Sequence, residues 1–338
     1  MTKFYFLLFW IIPTFSFGHY DTITNSINQS KLITEDISHD FSFLVAGHAY
    51  GAPSNSIYPC QSLVNYIENI NSSHSNFLML LGDNYRIADS LNILTFKNTF
   101  LNKLQLPVFN ALGNHDIHPR NYSIYKENFT KNTYFSFKIS SSLFIVLDTE
   151  LDNSKGFTDG SITSDQLQFL KKTISQFTAL NSPVVKNIFI CTHKALNLSK
   201  TNNFEKDTKP LLSSIPKDYT IFVLSGDMSQ SPSDLYTIED YQTNIRYIHT
   251  HLSDSKNDKI LSFKVTDKGV VHITPISLHN LPVKALESYE FSPIQNKNIE
   301  PSFFQKLKIR LYNPIFYQGI LFVIICFILF KFIYKRKK

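Results

Sequence analysis

Five apolar runs in this chain end alike, and that shared ending limits the available folds more than any other feature. "FSFLVA" (41–46) runs into Gly47-His48, "NFLMLL" (76–81) into Gly82-Asp83-Asn84, and "LPVFNAL" (106–112) into Gly113-Asn114-His115-Asp116. "KNIFIC" (186–191) runs into Thr192-His193, and "YTIFVLS" (219–225) into Gly226-Asp227. Short continuous apolar runs bounded by turn residues read as buried strands. The stretches "CQSLVNYIENI" (60–70), "SLNILTFKNTFLNKL" (90–104) and "TSDQLQFLKKTISQF" (163–177) show helical spacing, the last with Thr163 placed as N-cap. Buried strands alternating with helices predict a mostly parallel sheet covered on both faces. In such sheets ligands gather outside the carboxyl ends of the strands. The chain is therefore expected to bring His, Asp, Asn, His and Asp to one edge, oxygen and nitrogen donors suited to Mn, Fe, Zn or a similar divalent ion. "YFSFKI" (134–139) and "LFIVLDT" (143–149) read as an antiparallel pair across a Ser turn. "IRYIHTHL", "KILSFKVT" and "VVHITPI", within 245–276, read as a closing antiparallel sheet.

With these motifs in hand, "LLGDNYR", "ALGNHD" and the later Thr192-His193, the sequence resembles the calcineurin-like metallophosphoesterases over roughly Phe41 to Leu278. The resemblance implies an α/β fold, a sandwich of two mixed β-sheets flanked by helices, with a two-metal centre. It implies a phosphomonoesterase or phosphodiesterase in which two cations clamp the phosphoryl group and activate a water. Carried over by position, Asp83 would bridge the metals. Asn114, His193 and Asp227 would complete the second site, and His48 would serve the first. His115 would stand over the leaving group as a general acid or charge stabiliser. Asp116 would orient His115, and Arg86 would grip phosphate oxygens with its planar fork.

The departures from the family pattern are as informative. Ala46 stands where the family has its first Asp, and Gly226-Asp227-Met228-Ser229 replaces Gly-His-x-His. The first site thus loses two ligands and is expected to be weak, water-rich or empty, while the second is expected to bind a cation. The second exchanges an imidazole for a carboxylate, which favours harder, Mn-like ions over Zn. One or two ions are expected, among Mn, Fe, Zn and Mg. The rival expectation is a catalytically impaired module of the same fold that binds or scaffolds around one structural cation. Tyr50 and Tyr85 flank the expected site, and Asp148 is expected to bond a neighbouring loop. His249 and His251 read as strand-edge residues, with His251 within reach of the site.

Both ends of the chain carry membrane signals. A charged start and the run "FYFLLFWIIPTFSF" read as a signal peptide over 1–18, with an uncleaved anchor as the alternative. Residues 19–40 form a lead-in and 41–279 the metallophosphoesterase domain. Residues 280–312 form a polar stalk, 313–334 a C-terminal transmembrane helix and 335–338 a basic tail. The basic tail places the domain outside the cytoplasm. That means the periplasmic face of a bacterial inner membrane or, alternatively, the lumen of a eukaryotic secretory compartment. A phosphorylated substrate near the membrane surface is the expected partner. The net charge of +6 is concentrated in Lys331, Lys335, Arg336, Lys337 and Lys338. The body is therefore close to neutral and no nucleic-acid binding is expected. No protein partner is identifiable. Cys60 and Cys191 can pair only if the fold brings them together.

Overall fold

The computed structural model describes residues 22–33, 40–50, 56–118, 121–151, 160–178, 186–198, 202–227, 236–239 and 244–279. The expected signal segment, stalk and transmembrane helix, and Ser229, lie outside the described residues. Among the described residues, no helix is long and apolar enough to cross a membrane.

After a short pair, β1 (Thr22–Ile23) and β2 (Leu32–Ile33), the chain builds one sheet from β3 (Phe41–Ala46), β4 (Phe77–Leu80) and β5 (Val108–Asn110). Helices α1 (Gln61–Asn65), α2 (Ile67–Ser72) and α3 (Ser90–Thr99) make the crossovers, and α4 (Tyr122–Asn128) follows. A second sheet starts with the hairpin β6 (Phe135–Ile139) and β7 (Ser142–Val146). It continues through α5 (Ser164–Thr178), β8 (Asn187–Lys194), α6 (Lys209–Ser213), β9 (Thr220–Asp227), β10 (Tyr236–Glu239) and β11 (Ile245–His249). The chain then returns to the first sheet with β12 (Lys259–Val265) and β13 (Val271–Ser277). The strand orders are β13-β12-β3-β4-β5 and β10-β11-β9-β8-β7-β6, both mixed.

Two sequence expectations need correction. The buried strands do not share one sheet, and "IRYIH" does not join the closing antiparallel sheet. β11 lies parallel to β9 in the six-stranded sheet, while β12 and β13 close the five-stranded one. Apolar runs show that a strand is buried but not which strand it pairs with.

The layer between the sheets is built of phenylalanine. Phe263, Phe43 and Phe77 are direct register partners on β12, β3 and β4 and stack at 4.7 and 4.9 Å. Phe137, Phe144, Phe189 and Phe222 do the same across β6 to β9, at 4.8–4.9 Å. The two ladders meet edge to face, Phe43 against Phe144 at 5.1 Å and Phe189 at 5.2 Å, the geometry that aromatic quadrupoles favour. Alternate strand residues point outward. Leu44, Leu78 and Leu80 pack under Leu63, Ile67 and Phe96, and Ile188, Ile190 and Val223 pack under Leu170, Ile174 and Leu212.

The helix starts follow their sequence. Asp89 caps α3 by accepting from Asn92 N at 2.8 Å, and Thr163 Oγ1 accepts from Gln166 N at 3.4 Å. The predicted helix over 60–70 is broken at Tyr66 into α1 and α2. Cys60 and Cys191 are separate free thiols.

Candidate metal centre

Loops leaving the carboxyl ends of both sheets meet at one rim. Leu81 N donates to Ala46 O (2.8 Å), His48 N to Gly82 O (3.0 Å) and Ala111 N to Leu80 O (2.9 Å), which extends the first sheet into its loops. A Cβ on Gly113 would fall 2.4 Å from Asp83 N, so only glycine admits this approach of the two loops. His48 and Asp83 both have φ of 57°, a left-handed backbone that side chains other than glycine rarely adopt. Such strain concentrates at functional sites.

Asp83 is the hub. Its Oδ1 lies 3.3 Å from His193 Nε2 and its Oδ2 lies 3.6 Å from His48 Nε2. His193 Nε2 also lies 3.2 Å from Asn114 Oδ1 and 3.7 Å from Asp227 Oδ2. The structure therefore gathers the five expected ligands Asp83, Asn114, His193, Asp227 and His48, with Asp83 between two groups. Both imidazoles are pinned at Nδ1 by backbone carbonyls, His193 by Leu81 O (2.8 Å) and His48 by Leu252 O (3.2 Å). That leaves Nε2 facing inward, the orientation a metal-ligating histidine takes. Electrostatics knit the group. Burial works against the charged His193 ring, but the Asp83 carboxylate outweighs it and lifts the ring to about 9. Burial opposes the Asp83 charge as well, yet His193 and His48 hold that carboxyl well below its usual range. Burial pushes His48 down to about 4.

The expected catalytic residues are placed differently. His115 is at the site: its backbone N donates to Asp83 Oδ1 (2.9 Å), its Nδ1 meets Arg86 O (2.7 Å) and its Nε2 lies 3.4 Å from Tyr50 OH. Asp116 does not orient it. The Asp116 carboxylate is fully buried and accepts from Asp83 N (3.1 Å), Asn84 N (2.8 Å) and Gly113 N (3.0 Å), locking the two loops together. Burial, ahead of the Asp83 charge, raises it to about 6. Arg86 stacks its guanidinium on the Tyr50 ring at 4.5 Å, and Tyr50 in turn lies against His48 and His115. Tyr85 does not flank the site. It is buried among Phe96 and Phe129, and its hydroxyl donates to Asp116 O at 2.9 Å. Ala46 is buried under the helices and offers no donor.

Two residues at the rim escape a motif-based reading. His251 lies beyond β11 with its ring 4.0 Å from that of His48, so it belongs to the site and not to a strand edge. His249 is buried and bonds Ser225 Oγ instead. Lys194, next to His193, reaches Asn114 Oδ1 (2.7 Å) and Asp227 Oδ2 (2.5 Å) with its Nζ. Burial disfavours its charge, but Asp227 and Glu150 more than compensate, and the ammonium is held above its ordinary range. The signal for Lys194 was a carboxylate at 227 in place of a neutral imidazole, with a lysine on the adjacent strand. Lys194 and Asp227 are direct register partners.

A second cluster adjoins the His48 loop, where Cys60 N donates to Ala49 O (2.7 Å). Cys60, Asp254 and Asp258 bring their ligand atoms within 4.8 Å of one another. Their bonds describe a clasp. Asp258 Oδ2 accepts from Ser62 Oγ (2.7 Å), Asp258 Oδ1 from Ser253 N (3.2 Å), and Asp254 Oδ1 from Ser62 N (3.1 Å). Burial pushes the Cys60 thiol far up, so it stays protonated and donates to Asp258.

Comparison with solved structures places this architecture. GAP50, described as the anchor in the inner membrane complex of Plasmodium, superposes with a TM-score of 0.52 at 14% identity, over 78% of this chain and 90% of that one. A dimetal phosphatase from Danio rerio gives 0.55 at 12% identity, over 73% and 98%. A purple acid phosphatase from yellow lupin gives 0.51 at 11%, over 74% and 53%. The fold is that of the calcineurin-like metallophosphoesterases. No family profile matches the chain, and no curated protein matches it.

Proposed function

We propose that the chain is a divalent-metal-dependent phosphoesterase, tethered to a membrane by its C-terminal segment and hydrolysing a phosphomonoester or phosphodiester outside the cytoplasm. The observation that carries this reading is the convergence of Asp83, Asn114 and Asp227 on His193 Nε2 within 3.2–3.7 Å, with His48 on the other oxygen of Asp83. The named phosphatases of like fold support it.

The donors fit a divalent ion best on the His48 side, where Asp83 Oδ2 and the His48 and His251 rings gather. A cation held there supplies an acidified water and positive charge for phosphoryl oxygens. The remaining work falls to the chain. His115, anchored through Nδ1 on Arg86 O, presents Nε2 as the atom that carries a proton to a leaving oxygen. Tyr50 holds the His48 and His115 rings in place, and its phenol stays protonated because burial, then Asp83, raises it to about 12. Lys194 contributes positive charge at the rim.

A second reading has a specific observation in its favour. Lys194 already neutralises Asp227, and Ala46 removes a ligand, as expected of a retired catalyst kept as a binding module. GAP50, an anchor by its description, shares the fold. The test is turnover of an aryl phosphomonoester and an aryl phosphodiester by the full chain loaded with manganese. Loss of turnover in both Asp83→Ala and His115→Ala is expected. Bound manganese without turnover, and no effect of His115→Ala, would favour the binding module.

A further inference from the structure

We infer that the Lys194 ammonium is the resident cation of the second metal position and keeps a divalent ion out of it. The inference rests on reading the rim as a metal centre, but it concerns how many ions that centre takes.

The geometry is specific. A cation bound by Asp83 Oδ1, Asn114 Oδ1, His193 Nε2 and Asp227 Oδ2 must lie among those four atoms. Lys194 Nζ already touches two of them, Asn114 at 2.7 Å and Asp227 at 2.5 Å. An ammonium has three donors and a compact charge, so it satisfies acceptors arranged for a small ion. Its side chain is only 23% exposed and that of Asp227 only 12%, so the pair is shielded from water and salt.

The sequence change and the geometry agree. Placing a carboxylate at 227 adds a negative charge beside Asp83, and the added positive charge arrives from the register partner of Asp227 on β8. A divalent ion entering this position must displace Lys194 from both acceptors and leave a half-buried ammonium beside a dication. Among the described residues, no lysine is bonded at the first position, where Asp83 Oδ2 lies 3.6 Å from His48 Nε2 and the His251 ring packs on His48. The centre is thus built for at most one divalent ion, with an ammonium completing the charge.

The test counts manganese on the full chain by elemental analysis and records its electron paramagnetic resonance. The wild type is expected to hold at most one ion per chain, without the exchange-coupled signal of a manganese pair. Lys194→Met keeps the aliphatic stem and removes the charge. Asp227→His removes the partner of the ammonium and restores an imidazole. In each, the count should rise by one, and melting curves would show that the variants are folded. Two coupled ions in the wild type, or a count that does not rise in either folded variant, would overturn the inference. Failure of the phosphoesterase reading looks different: no turnover in the loaded wild type, with these counts unchanged.

Discussion

At the scale of single residues, the rim is held under strain by its own contents. His48 adopts φ of 57° although it carries a side chain. The left-handed conformation costs about 1–2 kcal/mol for such a residue, and glycine avoids that cost. His48→Gly should therefore be more stable than His48→Ala by about 0.5–1 kcal/mol, because the greater freedom of unfolded glycine offsets part of the gain. Urea midpoints of the two variants decide this, and an alanine variant equal to or firmer than glycine would remove the strain argument. Asp148 offers a second test. It is buried beyond β7, with Glu150 N donating to it at 2.8 Å, and burial lifts its carboxyl to about 7. The folded state then holds a proton that the unfolded chain releases near pH 4. The associated stability is present at low pH and is lost as pH rises to about 7, on the order of 2–4 kcal/mol. Denaturation between pH 5 and 8 should show a decline in the wild type that Asp148→Asn flattens. The role of Asp116 was not legible at this scale in the sequence. "GNHD" puts it one residue from His115, but the left-handed turn at Asp83 delivers two backbone donors to its carboxylate and Gly113 N adds a third.

At the scale of elements, the strands were legible and their partners were not. Every apolar run read as a strand contains one, because continuous burial leaves its mark on composition. Pairing is non-local, so "IRYIH" gave no hint that it lies parallel to β9 in the other sheet. The five strand-end motifs survive that error, since the carboxyl ends of both sheets open on the same rim. His251 was legible only as a residue within reach of the site, and the loop after β11 carries it to His48. What fixes the sheets against each other is the Phe ladder. Phe43 touches Phe77 and Phe263 in its own sheet and Phe144 and Phe189 in the other. Phe43→Ala should cost about 3–5 kcal/mol, since nothing small can fill the space between two stacked ladders. Leu91→Ala, on an exposed face of α3, should stay within about 0.5 kcal/mol. Similar denaturation midpoints for the two would contradict the account of the core.

At the scale of the whole molecule, the centre is a joint between the two sheets. His48, Asp83 and Asn114 follow strands of the five-stranded sheet, while His193 and Asp227 end strands of the six-stranded one. His251 arrives from the six-stranded side and packs on His48 from the five-stranded side. An ion held by His48, Asp83 and His251, as proposed above, would therefore tie the sheets together at their open rim, where the Phe ladder no longer reaches. A ligand bound only by the folded state adds about 2.7 kcal/mol at a hundred times its dissociation constant. For a domain of this size each kcal/mol shifts melting by about 2–4 °C, so saturating manganese should raise the midpoint by about 5–10 °C. A chelator should reverse the rise, and Asp83→Ala should abolish it. Phe43→Ala should lower the midpoint yet keep the full increment, because it weakens the joint elsewhere. An unchanged midpoint in the wild type would mean that the rim is closed by Lys194, Asp227 and their neighbours alone. The fold would then stand without the ion that the phosphoesterase reading requires.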